Sequence, residues 1–168
     1  MIEFQPLRKE NLPLVRDWLG REHVRRWWRD REVSVTHAEE ALAGLDATDY
    51  YLIVVDGRAV GMIETYRVDD HPDWAALVGE QGTGAAGLDL LIGEEDTVGR
   101  GLGSQVLEVF ARDVIFRAPN ITAVVATVEE ANRRSWRAFE KAGFRHVRDV
   151  EEDGVPHRLL RLERRYAQ

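Results

Sequence analysis

A glycine-rich segment that leads into a helical pattern is the strongest chemical signal in the sequence. It reads Gly99-Arg100-Gly101-Leu102-Gly103-Ser104, and apolar residues recur at helical spacing from Leu102 onward. Glycines let backbone N–H groups approach a ligand closely, and the N-terminus of a helix favours negative charge. The segment therefore predicts a cradle for a diphosphate group, with a plain tight turn into a helix as the alternative. It lacks the Gly-Lys-Ser/Thr of a Walker loop and the third glycine of a dinucleotide fingerprint.

A single carboxylate inside an apolar run is the second signal. Asp89 is the one ionisable residue in Gly87–Ile92, and that run predicts a short strand. A carboxylate in such a strand is costly without a partner, which could be backbone N–H groups or a substrate ammonium group. Because side chains alternate along a strand, we expect Leu88 and Leu90 to pack into the core while Asp89 and Leu91 face the other way.

The charges of the chain are unevenly placed. The net charge is -7, and the segment from Val68 to Gly99 contains acidic residues but no Lys or Arg. A solvated surface is the ordinary interpretation of such a run. The functional interpretation is a site for a polycation, since clustered carboxylates attract ammonium groups. The acidic balance argues against duplex nucleic acid as a partner.

Length and composition exclude several classes of protein. With 168 residues, we expect a single domain over residues 1–168. The absence of Cys excludes a thiol nucleophile and a Cys-ligated metal, and it favours a cytoplasmic location. The five His residues show no ligand spacing, so no metal is expected. The N-terminus has no apolar signal core, and the longest apolar runs are far short of the ~20 residues that span a bilayer, so no membrane partner is expected.

Periodicity predicts an α/β domain with a mixed sheet. Strands are predicted for residues 2–7, Tyr50–Val55, Arg58–Tyr66, Gly87–Ile92, Ile121–Thr127, Phe144–Val150 and His157–Leu162. Helices are predicted for residues 10–20, for Thr36–Leu45 with Thr36 as its N-cap, for a segment from Leu102 onward, and for Asn132–Ala142. Asp56-Gly57 favours a type I′ hairpin turn, and the segment 68–86 is predicted to be a long loop.

A second motif follows the glycine-rich segment about thirty residues further along the chain. It runs from Asn132 to Phe144 and contains Phe139-Glu140-Lys141-Ala142-Gly143-Phe144. Together the two motifs resemble those of the GNAT family of N-acetyltransferases, and the resemblance extends over nearly the whole chain. It implies acetyl-CoA as co-substrate, with its pyrophosphate on Gly99–Ser104 and a further contact from Asn132. It also implies a mixed, mostly antiparallel sheet of six or seven strands, splayed at the acetyl-CoA site and flanked by about four helices.

Within that family the sequence is most similar to the aminoglycoside 6′-N-acetyltransferases. The similarity lies in the segment Trp18–Trp28, in Gly87–Gly93, in Val98–Ser104 and in Asp153-Gly154. It implies that Asp89 is the base or the amine-orienting carboxylate, and that the backbone N–H groups near Leu91 and Ile92 stabilise the oxyanion. The residues that it implies for the acceptor pocket are Trp27, Trp28, Asp73, Glu129 and Asp153. Trp27 and Trp28 could equally be core residues, and Asp89 could be a structural carboxylate.

Three positions depart from the family pattern. Val98 stands where a Gln or Arg is usual, Phe139 replaces the tyrosine often assigned as general acid, and Thr127 stands where an acid is usual. The expected function is direct acetyl transfer to an aminoglycoside amine in a ternary complex, conferring resistance, by a monomer or a homodimer. The alternatives are a siderophore-pathway N-acyltransferase acting on a lysine or hydroxylysine amine, and a catalytically idle sensor that binds acyl-CoA.

Overall fold

Seven strands and six α-helices make up the computed structural model, which describes residues 1–167. The strands are β1 (Ile2–Pro6), β2 (Asp49–Val55), β3 (Arg58–Arg67), β4 (Ala86–Ile92), β5 (Ala123–Glu129), β6 (Arg145–Glu152) and β7 (Val155–Glu163). The helices are α1 (Leu12–Gly20), α2 (Glu22–Arg25), α3 (Arg31–Leu42), α4 (Pro72–Val78), α5 (Leu102–Asp113) and α6 (Arg133–Lys141). The predicted α/β class is confirmed, with six helices instead of about four.

The strands form one mixed sheet in the order β1-β2-β3-β4-β5-β7-β6. The pairs β1/β2, β2/β3, β5/β7 and β6/β7 are antiparallel. Strands β3 and β4 also run antiparallel, because Gly93 N donates to Val60 O at one end and Val68 N to Ala85 O at the other. Only β4 and β5 are parallel, and their register covers Ala86 and Gly87. The sheet is therefore mostly antiparallel, as predicted.

Two tight turns have the geometry that their sequences predict. Asp56 and Gly57 connect β2 to β3 with φ of 49° and 83°, and Asp153 and Gly154 connect β6 to β7 with φ of 51° and 76°. Positive φ at both central residues is what a type I′ turn requires, and Asp-Gly adopts it at low cost. Each turn sets the register of the adjacent residue pairs, and the register then shifts by one residue between Ile53 and Val54 in β2 and between His146 and Arg148 in β6.

Two predicted segments differ from the structure. Helix α3 begins at Arg31 and not near Thr36, because the Asp30 carboxylate caps it by accepting a hydrogen bond of 3.0 Å from Val33 N. The predicted loop over residues 68–86 contains α4, which begins at Pro72 and ends before Gly79 at φ 71°. Proline at the first helical position and a left-handed glycine after the last are ordinary helix ends.

The chain divides into two compact units. The first comprises Met1–Thr65 and Asp89–Val98, and the second comprises Tyr66–Leu88 and the chain from Gly99 onward. In the first unit, α1 and α3 bury Val15, Trp18 and Val35 against the sheet residues Leu52, Val54, Met62 and Leu91. In the second unit, α4 buries Ala75 and Val78 against Ala123, Val125 and Leu159. A single domain over residues 1–168 stays a prediction.

Candidate active site

Asp89 lies opposite a second carboxylic acid on the neighbouring strand of the first unit. The hydrogen bond from Gly93 N to Val60 O, 2.8 Å long, sets the register of β3 and β4. Because the strands are antiparallel, four residues after Val60 on β3 and four before Gly93 on β4 bring Glu64 opposite Asp89. Their side chains are hydrogen-bonded to each other. An ionised carboxylate can only accept, so a proton must lie between the two groups. The predicted lone carboxylate on β4 is therefore one member of a pair.

Tyr50 extends this pair to a third strand. It is the direct partner of Glu64 in the antiparallel register of β2 and β3. Its hydroxyl is hydrogen-bonded to the Glu64 carboxyl group. Burial is the main cause that raises the pKa of Tyr50, followed by the negative charge of Glu64. Tyr50 therefore stays protonated and serves as a hydrogen-bond donor to the carboxyl pair.

The environment of Glu64 favours the protonated form of its carboxyl group near neutral pH. Burial raises the pKa of Glu64 to about 8, helped by the charges of Asp89 and Asp46 and opposed by the Tyr50 hydroxyl. Sequence reasoning missed Glu64. The available signal was that it alternates with Met62 and Tyr66 on β3, where Met62 faces the core of the first unit. An acid in such an inward-facing series is costly without a partner, as the acid at Asp89 is.

Strand β4 alternates, but the face that carries Asp89 and Leu91 is the face that packs against the core of the first unit, which is not what was predicted. Leu88 is fully buried, but Leu91 is also buried, at 3% exposure, and Leu90 is only half-buried. Leu91 packs in the core of the first unit, against the face covered by α1 and α3. The carbonyl of the next residue, Ile92, is 2.9 Å from His23 Nε2. The predicted stabilisation of the oxyanion by the backbone N–H groups near Leu91 and Ile92 stays a prediction.

Gly61 on β3 allows this half of β4 to approach closely. A Cβ atom at Gly61 would overlap the backbone carbonyl oxygen of Leu91. We expect Gly61→Ala to push β4 outward and to lower the free energy of unfolding by about 1–3 kcal/mol, the usual cost of overpacking. Because Asp89 lies on the same strand, kcat should fall as well. Thermal melting and steady-state kinetics measure the two effects.

The matched control for Gly61→Ala is Gly20→Ala. A Cβ atom at Gly20 would lie 2.6 Å from Nη1 of Arg31, the far end of a flexible side chain that can move aside. Gly20 is also the last residue of α1, where alanine is the better helix former. If Gly61→Ala melts no lower than Gly20→Ala, the close approach of β4 to β3 is not needed for stability.

Both tryptophans of the predicted acceptor pocket are half-buried in the segment after α2. Trp28 packs against the core of the first unit. Trp27 lies under the guanidinium group of Arg26, with Arg26 Cζ 5.2 Å from the ring centroid. The structure thus assigns Trp28 a packing role in addition to any contact with substrate. Trp27 has its ring engaged by a cation of its own chain.

The glycine-rich segment forms a left-handed turn at the start of α5, in the second unit. Gly99 and Gly101 have φ of 81° and 78°, and Gly101 is the N-cap of α5. Gly103 approaches α6, where a Cβ atom would lie 3.4 Å from Ala138 Cβ. The Ser104 hydroxyl donates to the Gly101 carbonyl over 2.9 Å, so this side chain holds the turn together. The arrangement suits a diphosphate bound by backbone N–H groups at a helix N-terminus.

Two residues of α6 have structural tasks. Asn132 is the N-cap of α6, and its side-chain oxygen accepts a hydrogen bond of 3.4 Å from Ser135 N. The side-chain amide nitrogen of Asn132 is the group that can donate a hydrogen bond to a cofactor. Phe139 is buried at 3% exposure, with its ring edge-on to Phe144 at a centroid distance of 5.0 Å. The position of the usual tyrosine is therefore part of the core of the second unit.

The acids predicted for the acceptor pocket in the second unit are spread over three elements. Asp73 is exposed in the first turn of α4, where a carboxylate also favours the helix N-terminus. Its neighbour Trp74 is half-buried, edge-on to Tyr66 at a centroid distance of 5.7 Å. Glu129 is half-buried at the end of β5, and Asp153 is exposed in the β6–β7 turn. Their role in the acceptor pocket stays a prediction.

Glu152 is an acid of this region that sequence reasoning missed. It is half-buried, and its carboxylate accepts a hydrogen bond of 3.2 Å from the Thr127 hydroxyl. The same oxygen lies 3.4 Å from His157 Nε2. Strand β6 thus brings a carboxylate to Thr127, the position where the family pattern has an acid on β5. The signal in the sequence was the alternation of Val150 and Glu152 next to the Asp153-Gly154 turn.

Much of the acidic segment between Val68 and Gly99 serves the fold. Glu80 is buried and bonded to Arg161 Nε at 2.7 Å, and Asp69 accepts a hydrogen bond of 2.8 Å from Gly82 N. In the first unit, Glu94 binds both Arg21 and Arg58 at 3.0 Å. These three acids have partners within the protein, so they contribute to the fold. Asp73 and Asp89 are the acids of this segment that the sequence analysis assigned to the site.

The described part of the chain contains neither a cluster of metal-binding side chains nor a membrane-spanning helix. Among residues 1–167 there is no group of three or more His, Asp or Glu side chains that could hold a metal ion. No helix in the same range is long and apolar enough to cross a membrane.

The fold and the glycine turn define the class of protein. A mixed sheet with a left-handed glycine turn at the N-terminus of the helix after β4 is the arrangement expected for an acetyl-CoA-dependent acetyltransferase. Residues 8–152 match the family model described as the acetyltransferase (GNAT) domain. The chain therefore belongs to the GNAT acetyltransferase family.

Within the family, the chain is similar to proteins that are named for their action on aminoglycosides. The chain is 25% identical over 144 residues to an aminoglycoside N(6′)-acetyltransferase type 1 of Klebsiella pneumoniae, covering 81% of this chain and 70% of the relative. A kanamycin resistance protein of Rhizobium radiobacter is 29% identical over 65 residues, covering 39% of this chain and 59% of the relative.

Solved structures share the fold. An aminoglycoside acetyltransferase, AAC(6′)-Ib, in complex with coenzyme A and kanamycin has a TM-score of 0.81 at 20% identity, covering 99% of this chain and 96% of that one. An aminoglycoside N(6′)-acetyltransferase of Legionella pneumophila has a TM-score of 0.78 at 21% identity, covering 96% and 91%. At this identity the likeness supports the fold.

Proposed function

We propose that the protein transfers an acetyl group from acetyl-CoA to the 6′-amino group of aminoglycoside antibiotics and so confers resistance to them. The observation that carries this proposal is the relationship to a named aminoglycoside N(6′)-acetyltransferase over 81% of the chain. The protein would act in the cytoplasm as a single domain over residues 1–168, as a monomer or a homodimer, without nucleic acid or membrane as partner.

The residues around the glycine turn fit acetyl-CoA. Gly99 and Gly101 have positive φ and lack side chains, so a diphosphate can approach the backbone N–H groups at the start of α5. Lys141 Nζ lies 3.8 Å from the position of a Cβ atom at Gly101, which adds a positive charge beside the turn. Bound acetyl-CoA would supply an activated acyl group as a thioester.

The chemistry that remains for the protein is to bind a cationic amine and to remove a proton from it. An amine must be neutral to attack, and a carboxylate is a suitable proton acceptor. Asp89 is the carboxylate that we assign to this step, because it lies half-buried on β4 with a proton-binding partner. The backbone N–H groups of Leu91 and Ile92 would stabilise negative charge on the acyl oxygen. Since the chain has no Cys, we propose direct transfer.

The release of free thiol from acetyl-CoA tests the proposal. A panel of aminoglycosides should give turnover, whereas lysine or hydroxylysine should give none. Turnover with lysine or hydroxylysine alone would indicate the siderophore-pathway acyltransferase. Binding of acetyl-CoA without turnover on any amine would indicate the sensor.

We expect the acceptor carboxylates of the second unit to bind substrate ammonium groups. Changing Asp73 to Asn or Glu152 to Gln should raise the aminoglycoside KM by roughly tenfold or more, because a charge-assisted hydrogen bond contributes about 1.5–3 kcal/mol. The acetyl-CoA KM should stay unchanged. Wild-type KM for the aminoglycoside should also rise with salt, which screens exposed charges.

Glu151→Gln is the matched control for Glu152→Gln. Glu151 is exposed on the same strand and alternates to the opposite face. The Glu151→Gln substitution removes one negative charge, as Glu152→Gln does, but it leaves the carboxylate next to Thr127 in place. Equal effects of the two variants on KM would show that general charge, and not the position of Glu152, attracts the substrate.

A further inference from the structure

Glu64 is a titratable residue that the proposed chemistry has not used. It lies at the centre of a row of side chains on three neighbouring strands of the first unit, between Tyr50 on β2 and Asp89 on β4. Its carboxyl group is hydrogen-bonded on both sides, to the Tyr50 hydroxyl and to the Asp89 carboxyl group. A residue so placed can influence a proton on Asp89 directly.

Two hydrogen-bonded carboxyl groups behave as one titrating unit. One of them must carry a proton, and the like charges resist the loss of that proton. The proton affinity then belongs to the pair and not to either member. The groups that face Glu64 are Asp89 and Asp46, whose charges raise its pKa, and Tyr50, whose hydroxyl lowers it.

We propose that Glu64 is a positioning residue for the acetyl transfer: it shares one proton with Asp89, and the pair, rather than Asp89 alone, takes up the proton that the acceptor ammonium group must lose. This inference rests on the proposed function.

Each acetyl transfer removes two protons from the nitrogen of the acceptor ammonium group. The free pair carries one proton and a single negative charge. Binding of the ammonium group displaces that proton to solvent, and the doubly ionised pair then accepts a proton from the ammonium nitrogen. The neutral amine forms its bond to the acetyl carbon as the carbon–sulfur bond breaks, and the surplus proton on nitrogen leaves with sulfur as the thiol. One proton is released to solvent for each amide formed.

The pair is better suited to this task than an isolated aspartate. An ordinary aspartate has a pKa of about 3.9 and an amine has one of about 8–10, so transfer between them is unfavourable. Burial and the neighbouring charges raise the pKa of Glu64 well above that of an ordinary glutamate, towards the range of amines. Proton transfer is efficient when donor and acceptor are matched in this way.

The existence of the pair is tested without substrate, by 13C NMR of the labelled Glu64 carboxyl group across pH. We expect it to titrate near pH 8 in the wild type, at lower pH in Asp89→Asn and at higher pH in Tyr50→Phe. Titration near the ordinary pKa of glutamate, about 4.3, would overturn the pair whatever the protein acetylates.

The role of the pair is tested by the pH profile of kcat/KM for an aminoglycoside. Glu64→Gln should move the acidic limb to lower pH by about one unit or more and lower the plateau, because the remaining aspartate is a weaker base. Tyr50→Phe should move the limb to higher pH. Glu3→Gln, an exposed glutamate on β1, should leave the profile unchanged.

Two outcomes would contradict this role in different ways. A loss by the same factor at every pH in folded Glu64→Gln would show that Glu64 is merely structural. Titration near pH 8 with no thiol release on any aminoglycoside would contradict the proposed function, and with it the use of the pair in transfer.

Discussion

Replacing Asp89 by Asn is expected to lower kcat by about 10²–10⁴-fold, the usual contribution of a general base. The substitution keeps the size of the side chain and most of its hydrogen bonding, but an amide cannot accept the amine proton. It also removes the charge that raises the pKa of Glu64. The protein should stay folded and should bind acetyl-CoA as the wild type does. Steady-state kinetics and calorimetric titration with acetyl-CoA measure the two quantities.

Asp56→Asn is a suitable control for this prediction. Asp56 is an exposed aspartate of the same unit, in the β2–β3 turn, and its change should leave kcat unaltered. If Asp89→Asn retains more than about a third of the wild-type kcat between pH 6 and 8, the usual contribution of a general base is absent. Proton removal would then be the work of solvent, and Asp89 would only position the amine.

Replacing Gly101 by Ala is expected to weaken acetyl-CoA binding by roughly tenfold or more. Within the protein the new Cβ atom would meet Lys141 Nζ at 3.8 Å, an ordinary contact. A methyl group at the turn would, however, keep the diphosphate away from the N–H groups at the start of α5. Each charge-assisted hydrogen bond lost costs about 1.5–3 kcal/mol. Isothermal titration with coenzyme A measures the change.

The strain of a left-handed alanine needs its own control. Gly44 has φ of 76° with no atom within 4 Å of an added Cβ, so Gly44→Ala has the same backbone cost without a ligand nearby. Both variants should therefore lose similar thermal stability, and only Gly101→Ala should lose affinity for coenzyme A. Equal affinities in the two variants would remove the diphosphate cradle from the glycine turn.

The parts of the fold that could be predicted from the sequence are those with local signals. Asp56-Gly57 specifies the turn between β2 and β3, and the glycine-rich segment before Leu102 specifies the start of α5. The helix α4 was missed because Pro72 and Gly79 suggest a loop when counted as breakers. They are in fact the first residue of the helix and the residue after its end.

The carboxyl pair could not be predicted, because its geometry is not local. Asp89 stood out as an acid in an apolar run, but the partner of Asp89 depends on the register of β3 and β4. A long connection that includes α4 joins these strands, so no short turn specifies that register. The hydrogen bond between Thr127 and Glu152 likewise joins β5 to β6, which follow each other in the sequence but are separated by β7 in the sheet.

The central claim is that the protein acetylates the 6′-amine of aminoglycosides, and a pair of substrates tests it most directly. Neomycin carries an amine at the 6′ position, and paromomycin has the same skeleton with a hydroxyl group there. Purified protein, acetyl-CoA and either compound would be incubated, and the products identified by mass spectrometry and NMR. We predict one acetyl group on the 6′ nitrogen of neomycin and none at that position of paromomycin. Equal acetylation of both compounds, or of neither by folded protein that binds acetyl-CoA, would contradict the account.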